Sequence, residues 1–322
     1  MDQNRIAVLG AGTMGPGIAT CYAMSGSYVR LYTRSEETLD KARRVIGANL
    51  ELFSQEGICT KEAAADALSR ITFTTCLEDA VEDVWYIAET VVEKPAVKKD
   101  LYEKLDSILP PEVIIASNTS YLDIFSLMPR RRLPHTAISH WYAPAHILPL
   151  VEIVRGEETL DAVMDQIMEF HQKCGKTPVR MEKYIPGFIV NRMQSAMQRE
   201  VLYLIENGYC SPEALDLAVK TSLMPRGLIL GLVQRLDFSG LDMCVNSLNN
   251  RSFTPAPPPE HPEFVFSHTE KGELGVKTGK GIYDYSHLPY EQVLQQRDRM
   301  LLRSVALAED FLKNPLHNQQ KD

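Results

Sequence analysis

The sequence predicts an α/β domain built on a doubly wound parallel sheet over residues 1–183, followed by an all-α domain over residues 184–322. Three observations predict it. Short aliphatic runs alternate with helical stretches through the first half, a pattern that demands helices on both faces of a parallel sheet. A glycine-rich turn joins the first strand to the first helix. From about Tyr184 the periodicity is helical, apart from a short strand-like run at Gly281-Ile282-Tyr283.

The first strand is Arg5-Ile6-Ala7-Val8-Leu9, which stops at glycine as a buried parallel strand should. Gly10-Ala11-Gly12-Thr13-Met14-Gly15 then fits G-x-G-x-x-G and opens a helix in which Pro16 is tolerated only in the first turn. A second strand, Tyr28-Val29-Arg30-Leu31-Tyr32, closes the β-α-β unit. The first glycine permits the tight turn, the second lets backbone approach a pyrophosphate, and the third allows close helix-on-strand packing. With helix N–H groups aimed at the phosphates, this is a Rossmann-type dinucleotide site, and Gly10, Gly12, Thr13, Met14 and Gly15 are its candidate residues.

Further strands are expected at Val84–Ala88, Val113–Ser117, Thr136–His140 and Leu150–Val154, with helices near residues 36–55, 61–69 and 95–108. In the second half Pro186 and Gly208 read as start and stop signals of a long helix. Its stripe of Ile189, Met193, Ala196, Met197, Val201, Leu204 and Ile205 reads as core or subunit interface. Thr254-Pro255-Ala256-Pro257-Pro258-Pro259 reads as an extended surface loop.

Hydrophobic residues at 44% and charged residues at 24% describe a folded globular chain. The formal net charge of -8 argues against nucleic acid as the main partner, because phosphate backbones are held by clusters of Lys and Arg. Neither a long apolar run nor a signal-peptide pattern is visible, so a cytoplasmic protein outside the membrane is expected. The six cysteines show no C-x-x-C pair and no His at ligand spacing, so no metal site is expected.

Ser120, His140, Glu152 and Asn191 stand at element ends that such a crevice would expose. Glu152 is embedded in the apolar run Leu150-Val151-Glu152-Ile153-Val154 and needs a partner there, since a buried unpaired charge is expensive. An imidazole is a natural one: a carboxylate on one ring nitrogen fixes the tautomer and frees the other nitrogen to move a hydroxyl proton. Each residue alone also reads as an isolated structural polar group.

Four successive segments then resemble the 3-hydroxyacyl-CoA dehydrogenase family. They are Ala116-Ser117-Asn118-Thr119-Ser120; His140-Trp141-Tyr142-Ala143-Pro144 with Leu150-Val151-Glu152; Pro186-Gly187-Phe188-Ile189-Val190-Asn191-Arg192; and Lys277-Thr278-Gly279-Lys280-Gly281-Ile282-Tyr283. The resemblance implies that His140 is the general acid/base and Glu152 its orienting partner, with Ser120 and Asn191 on the reacting oxygen. It also implies that Glu93, Lys98 and Asn118 face an NAD cofactor, and that the chain forms a homodimer through its helical domain.

Three departures from the family stand out. Ala143-Pro144 replaces the usual Asn-Pro. The stretch Val45–Glu56 lacks the lysines that suit CoA phosphates, while Arg226 and Arg235 on the helical side offer guanidinium forks for a free carboxylate. Relatives acting on gulonate or carnitine make a free hydroxy acid the alternative substrate. Finally, the acid expected at the end of the second strand is replaced by Thr33, followed by Arg34 and Ser35, which suits NADP as well as NAD. Two other readings are a serine hydrolase using Ser120, which lacks a G-x-S-x-G elbow, and a non-catalytic crystallin-like binding protein.

Overall fold

The computed structural model describes residues 4–250, 254–314 and 316. The chain divides into two compact units, Met1–Arg192 and Met193–Asp322.

In the first unit the sequence signals convert directly into a sheet. Its strands are β1 (Arg5–Leu9), β2 (Tyr28–Tyr32), β3 (Ile71–Thr74), β4 (Tyr86–Glu89), β5 (Ile114–Ser117), β6 (Thr136–Trp141), β7 (Leu150–Arg155) and β8 (Thr177–Met181), in the order β3-β2-β1-β4-β5-β6-β7-β8. The helices α1 (Gly15–Met24), α2 (Glu36–Gln55), α3 (Lys61–Ser69), α4 (Leu77–Val81), α5 (Pro95–Ile108) and α6 (Asp161–Lys173) connect them. The order reverses between β1 and β4, so the crevice at their carboxyl ends is where such a sheet takes ligands. The sheet is not parallel throughout. β6 and β7 pair antiparallel, because the short return after Trp141 holds no crossover helix.

Side chains alternate between the two faces with the period of a strand. Ile6 and Val8 enter one core while Ala7 and Leu9 enter the other. Tyr22, Trp85, Tyr86, Trp141, Phe170 and His171 form an aromatic cluster in which Tyr22 meets Trp141 edge-on at 5.5 Å and Trp85 meets Phe170 at 5.1 Å. His171 is fully buried there. Its Nδ1 donates to the Ile167 carbonyl at 2.8 Å and its Nε2 accepts from the Tyr22 hydroxyl at 3.3 Å.

In the second half, α7 (Val190–Glu206) begins later than its sequence signals suggest. Pro186 is not in that helix but in the turn before it, where Gly187 and Phe188 both take positive φ, 78° and 50°. Gly208, at φ 68°, does follow its end. After it come α8 (Pro212–Ala218), a π-type segment Val219–Leu223, α9 (Met224–Leu230), α10 (Gln234–Ser239), α11 (Leu241–Asn250), α12 (Glu263–Glu270) and α13 (Tyr290–Lys313). The run at Gly281-Ile282-Tyr283 is no strand; two isolated bridges, Gly275 with Lys280 and Lys280 with Asp284, hold that loop. The Thr254–Pro259 segment is irregular as expected, but Ala256 is buried and its N–H donates to Glu200. Among the described apolar residues of the second unit only Leu202 and Ala256 are buried, whereas Met193, Met197, Leu217, Val233 and Phe238 are exposed.

Burial pushes His171 down to about 4 from an ordinary 6.5. The unfolded chain therefore binds a proton between those values that the folded chain refuses, so stability is fully present above about 6.5 and is lost as pH falls towards 4. Between pH 7 and pH 5 this residue should remove about 2 kcal/mol. Urea titrations at both pH values should show that much less acid sensitivity in His171→Gln than in the native chain.

Candidate active site

The glycine turn closes on itself and on the end of β4. Gly10 takes φ 117°, and a Cβ there would lie 2.6 Å from the Thr90 carbonyl oxygen. At Gly15, the first residue of α1, a Cβ would overlap the Gly10 carbonyl just past β1 and crowd the Thr90 hydroxyl just past β4, so this third glycine allows the helix to approach the strand ends closely. Nothing lies within 4 Å of a Cβ at Gly12, which faces open space. Thr13 is exposed and Met14 packs half-buried against the core. A cleft of about 310 Å³ runs from Gly10, Ala11 and Gly12 to Tyr32, Thr33 and Arg34, with Asp100 and Lys104 of α5 also on its wall. Ser35 is otherwise engaged: its hydroxyl caps α2 by accepting from the Thr38 N–H.

Lys98 does not face the crevice as a free cation. It is fully buried, and its Nζ donates to both oxygens of Glu89 at 2.7 and 2.9 Å, with Glu93 at 3.5 Å. Glu89 and Ser117 are cross-strand neighbours at the ends of β4 and β5, and the hydroxyls of Ser117 and Tyr102 each donate to Glu89 at 2.6 Å. Glu93 accepts from the Thr119 hydroxyl and, at 2.8 Å, from the Ser120 N–H. The network thus fixes the backbone of Ser120 and leaves its hydroxyl without a partner among the described residues. Asn118 is half-buried and spends its side-chain oxygen on the Trp141 N–H at 2.8 Å, tying the end of β5 to the end of β6.

His140 and Glu152 are direct cross-strand partners in the β6–β7 ladder, which explains their spacing in the sequence. Both are buried, and His140 Nδ1 lies 2.9 Å from Glu152 Oε2. Nε2 has no protein partner among the described residues. Glu152 Oε2 also accepts from the Tyr142 hydroxyl at 2.6 Å, while Oε1 accepts from the N–H groups of Ile189 and Val190 at 2.9 and 3.0 Å. Burial alone would raise this carboxylic acid. The hydrogen bonds from His140, Tyr142, Val190 and Ile189 outweigh burial and hold it below the ordinary carboxylate range.

The Phe188 ring stands 5.1 Å from the His140 ring, carried there by the left-handed turn. Asn191 is half-buried at the start of α7, and its backbone reaches the Tyr142 oxygen. Arg226 lies in the second unit, where its guanidinium bonds the carbonyl and hydroxyl of Ser222. Sequence reasoning missed Tyr142, the Ile189 and Val190 donors, Glu89 and Lys104. For Tyr142 a signal was present, since residues two apart at a strand end share a face.

Chemically the arrangement is an imidazole oriented by a carboxylate that its donors hold below the ordinary range, in the same sheet whose first strand ends in the glycine turn. Residues 5–184 match the "3-hydroxyacyl-CoA dehydrogenase, NAD binding domain" and residues 187–285 the "3-hydroxyacyl-CoA dehydrogenase, C-terminal domain". A 3-hydroxybutyryl-CoA dehydrogenase of Bradyrhizobium diazoefficiens is 35% identical, with 87% of this chain and 95% of that protein covered. An L-carnitine dehydrogenase of Streptomyces griseus is 31% identical over 71% of this chain and 68% of its own length. Among solved structures, that of 5-formyl-3-hydroxy-2-methylpyridine 4-carboxylic acid 5-dehydrogenase, described as an NAD+ dependent dismutase, superposes with a TM-score of 0.84 at 29% identity, covering 95% of this chain and 99% of that one. With the first match spanning the glycine turn and the histidine–glutamate pair and the second continuing from residue 187 to 285, the chain belongs to the 3-hydroxyacyl-CoA dehydrogenase family, NAD-dependent oxidoreductases acting on CH–OH groups.

Proposed function

We propose that this chain interconverts the 3-hydroxyl and 3-oxo groups of a 3-hydroxyacyl-CoA, with His140 as the acid/base. The observation that carries the proposal is the His140–Glu152 hydrogen bond, which leaves Nε2 as the group without a partner. Bound nicotinamide supplies the hydride acceptor or donor. In the oxidative direction that cofactor, when bound, would accept the hydride of the carbinol carbon. The O–H proton passes to His140 Nε2, and the C=O bond forms. Glu152 balances the imidazolium without taking its proton, because four donors already hold it ionised. The uncommitted hydroxyl of Ser120 and the amide of Asn191 are suited to the reacting oxygen.

A free hydroxy acid is the second reading. It is favoured by the lack of any basic residue in Val45–Glu56 and by the likeness to a dehydrogenase whose name carries a carboxylate. A panel of 3-oxoacyl-CoAs and free 3-oxo acids, followed by NADH absorbance, separates the two. His140→Ala should lower turnover on the accepted substrate by about 10²–10⁴-fold with cofactor affinity retained. Near-native turnover would remove His140 from the chemistry.

NADP acceptance extends the proposal. Arg34 has no partner among the described residues, and Lys104 stands on the wall of the same cleft. No carboxylate at the end of β2 repels a 2′-phosphate. Arg34→Ala should lower kcat/KM with NADPH about 10-fold more than with NADH, the worth of one charge-assisted contact. A native protein that strongly rejects NADPH would show that Arg34 does not serve the ribose.

The exposed apolar side chains of α7 to α11 support a homodimer built through the second unit. Light scattering at micromolar concentration should give twice the chain mass of 36.3 kDa. A monomer at that concentration would exclude the assembly.

A further inference from the structure

Glu152 presents two oxygens, and one of them, Oε2, serves two donors of very different kind. His140 brings its Nδ1–H from β6. Tyr142 brings a hydroxyl from the first residues of the return to β7, at 2.6 Å the shorter of the two contacts. The same Tyr142 ring lies edge-on to the His140 ring, 4.5 Å between centroids. Tyr142 is half-buried, and its contact with the imidazole is made by the ring, which Tyr142→Phe retains.

A hydrogen bond to a carboxylate drains charge from the oxygen that accepts it. Each donor on Oε2 therefore weakens the pull of that oxygen on the other. We infer that Tyr142 is a positioning residue that sets the proton affinity of the acid/base pair, by competing with His140 for Glu152 Oε2 and so limiting how strongly the imidazolium is held. The tyrosine itself stays protonated at working pH: burial, and then the Glu152 carboxylate, push its phenol far above the ordinary range. Its effect is thus a constant bias rather than a second titration.

The surroundings of the pair are few enough for the bias to be read. Among the described residues, the titratable groups in contact with His140 are Glu152 from β7 and Tyr142. The turn ahead of α7 adds the uncharged Phe188 ring and the two N–H groups on Oε1, and β5 adds the neutral Asn118 amide through Trp141. No lysine, arginine or further carboxylate is in contact with the pair among those residues.

The inference rests on the reading of His140 as the acid/base, and its test separates the two. Tyr142→Phe keeps the ring and deletes the hydroxyl. The imidazole titration is followed by NMR on the full-length chain without substrate, with the His140 resonance identified by its loss in His140→Gln. The variant midpoint should move upward by about half to one pH unit, a fraction of the worth of a hydrogen bond to a charged group. The pH profile of kcat/KM for alcohol oxidation should move by the same amount. An unmoved NMR midpoint in Tyr142→Phe overturns the inference. A midpoint that moves while the rate profile does not upholds the competition for Glu152 and removes His140 from the chemistry instead. Should Tyr142→Phe fold poorly, Tyr142 labelled with 3-fluorotyrosine gives a second reading: a more acidic phenol donates more strongly, so the midpoint must then move downward, and no movement overturns the inference.

Discussion

The structure around the candidate site depends on one buried carboxylate being fully paired. Glu152 gathers four donors from three separate stretches of chain: β6, the return that follows it, and the turn that opens α7. Removing one oxygen's partners would leave a buried charge uncompensated, which costs several kcal/mol. Strand register, the left-handed turn at Gly187 and Phe188, and the start of α7 are therefore constrained together by a single side chain. The backbone donors come from a helix N-terminus, whose partial positive charge further favours an anion there.

A second buried carboxylate organises the cofactor side in the same way. Glu89 is loaded by Lys98, Ser117, Tyr102 and the Val91 N–H, all at the ends of β4 and β5 or on α5. Glu93 then carries the order outward to Thr119 and Ser120. Two networks, one at the ends of β4 and β5 and one across β6 and β7, hold these side chains against the sheet rather than on loose loops, which is what accurate positioning requires.

Much of this was legible in the sequence, for physical reasons that also mark the limit. β1, α1 and β2 were readable because a buried parallel strand, a glycine turn and a helix follow without interruption, and α2, α3 and α5 because their apolar spacing and caps are clear. β3 and β8 were not, since Ile71-Thr72-Phe73-Thr74 is short and sits at the sheet edge, and Thr177–Met181 contains Pro178 and Arg180 at the opposite edge. At the site, His140 and Glu152 were legible because a carboxylate in an apolar run calls for a partner. The ion pair of Lys98 was not legible, because its partner, Glu89, is likewise hidden in an apolar strand. Tyr142 was overlooked because an aromatic residue after a strand reads as packing until its hydroxyl is seen to have a destination.

The aromatic cluster beneath the sheet has an optical consequence. Trp85 and Trp141 are the chain's two tryptophans, and both lie in the first unit, in contact with Tyr22, Tyr86 and Phe170 or His171. Trp141 directly follows the histidine, and its N–H is held by Asn118. Emission excited at the indole band therefore reports the melting of the sheet unit and is blind to the helical one. Far-ultraviolet circular dichroism, dominated by the helices of both, reports the whole. The two signals recorded on one sample give the order in which the halves of the chain come apart, with no label introduced.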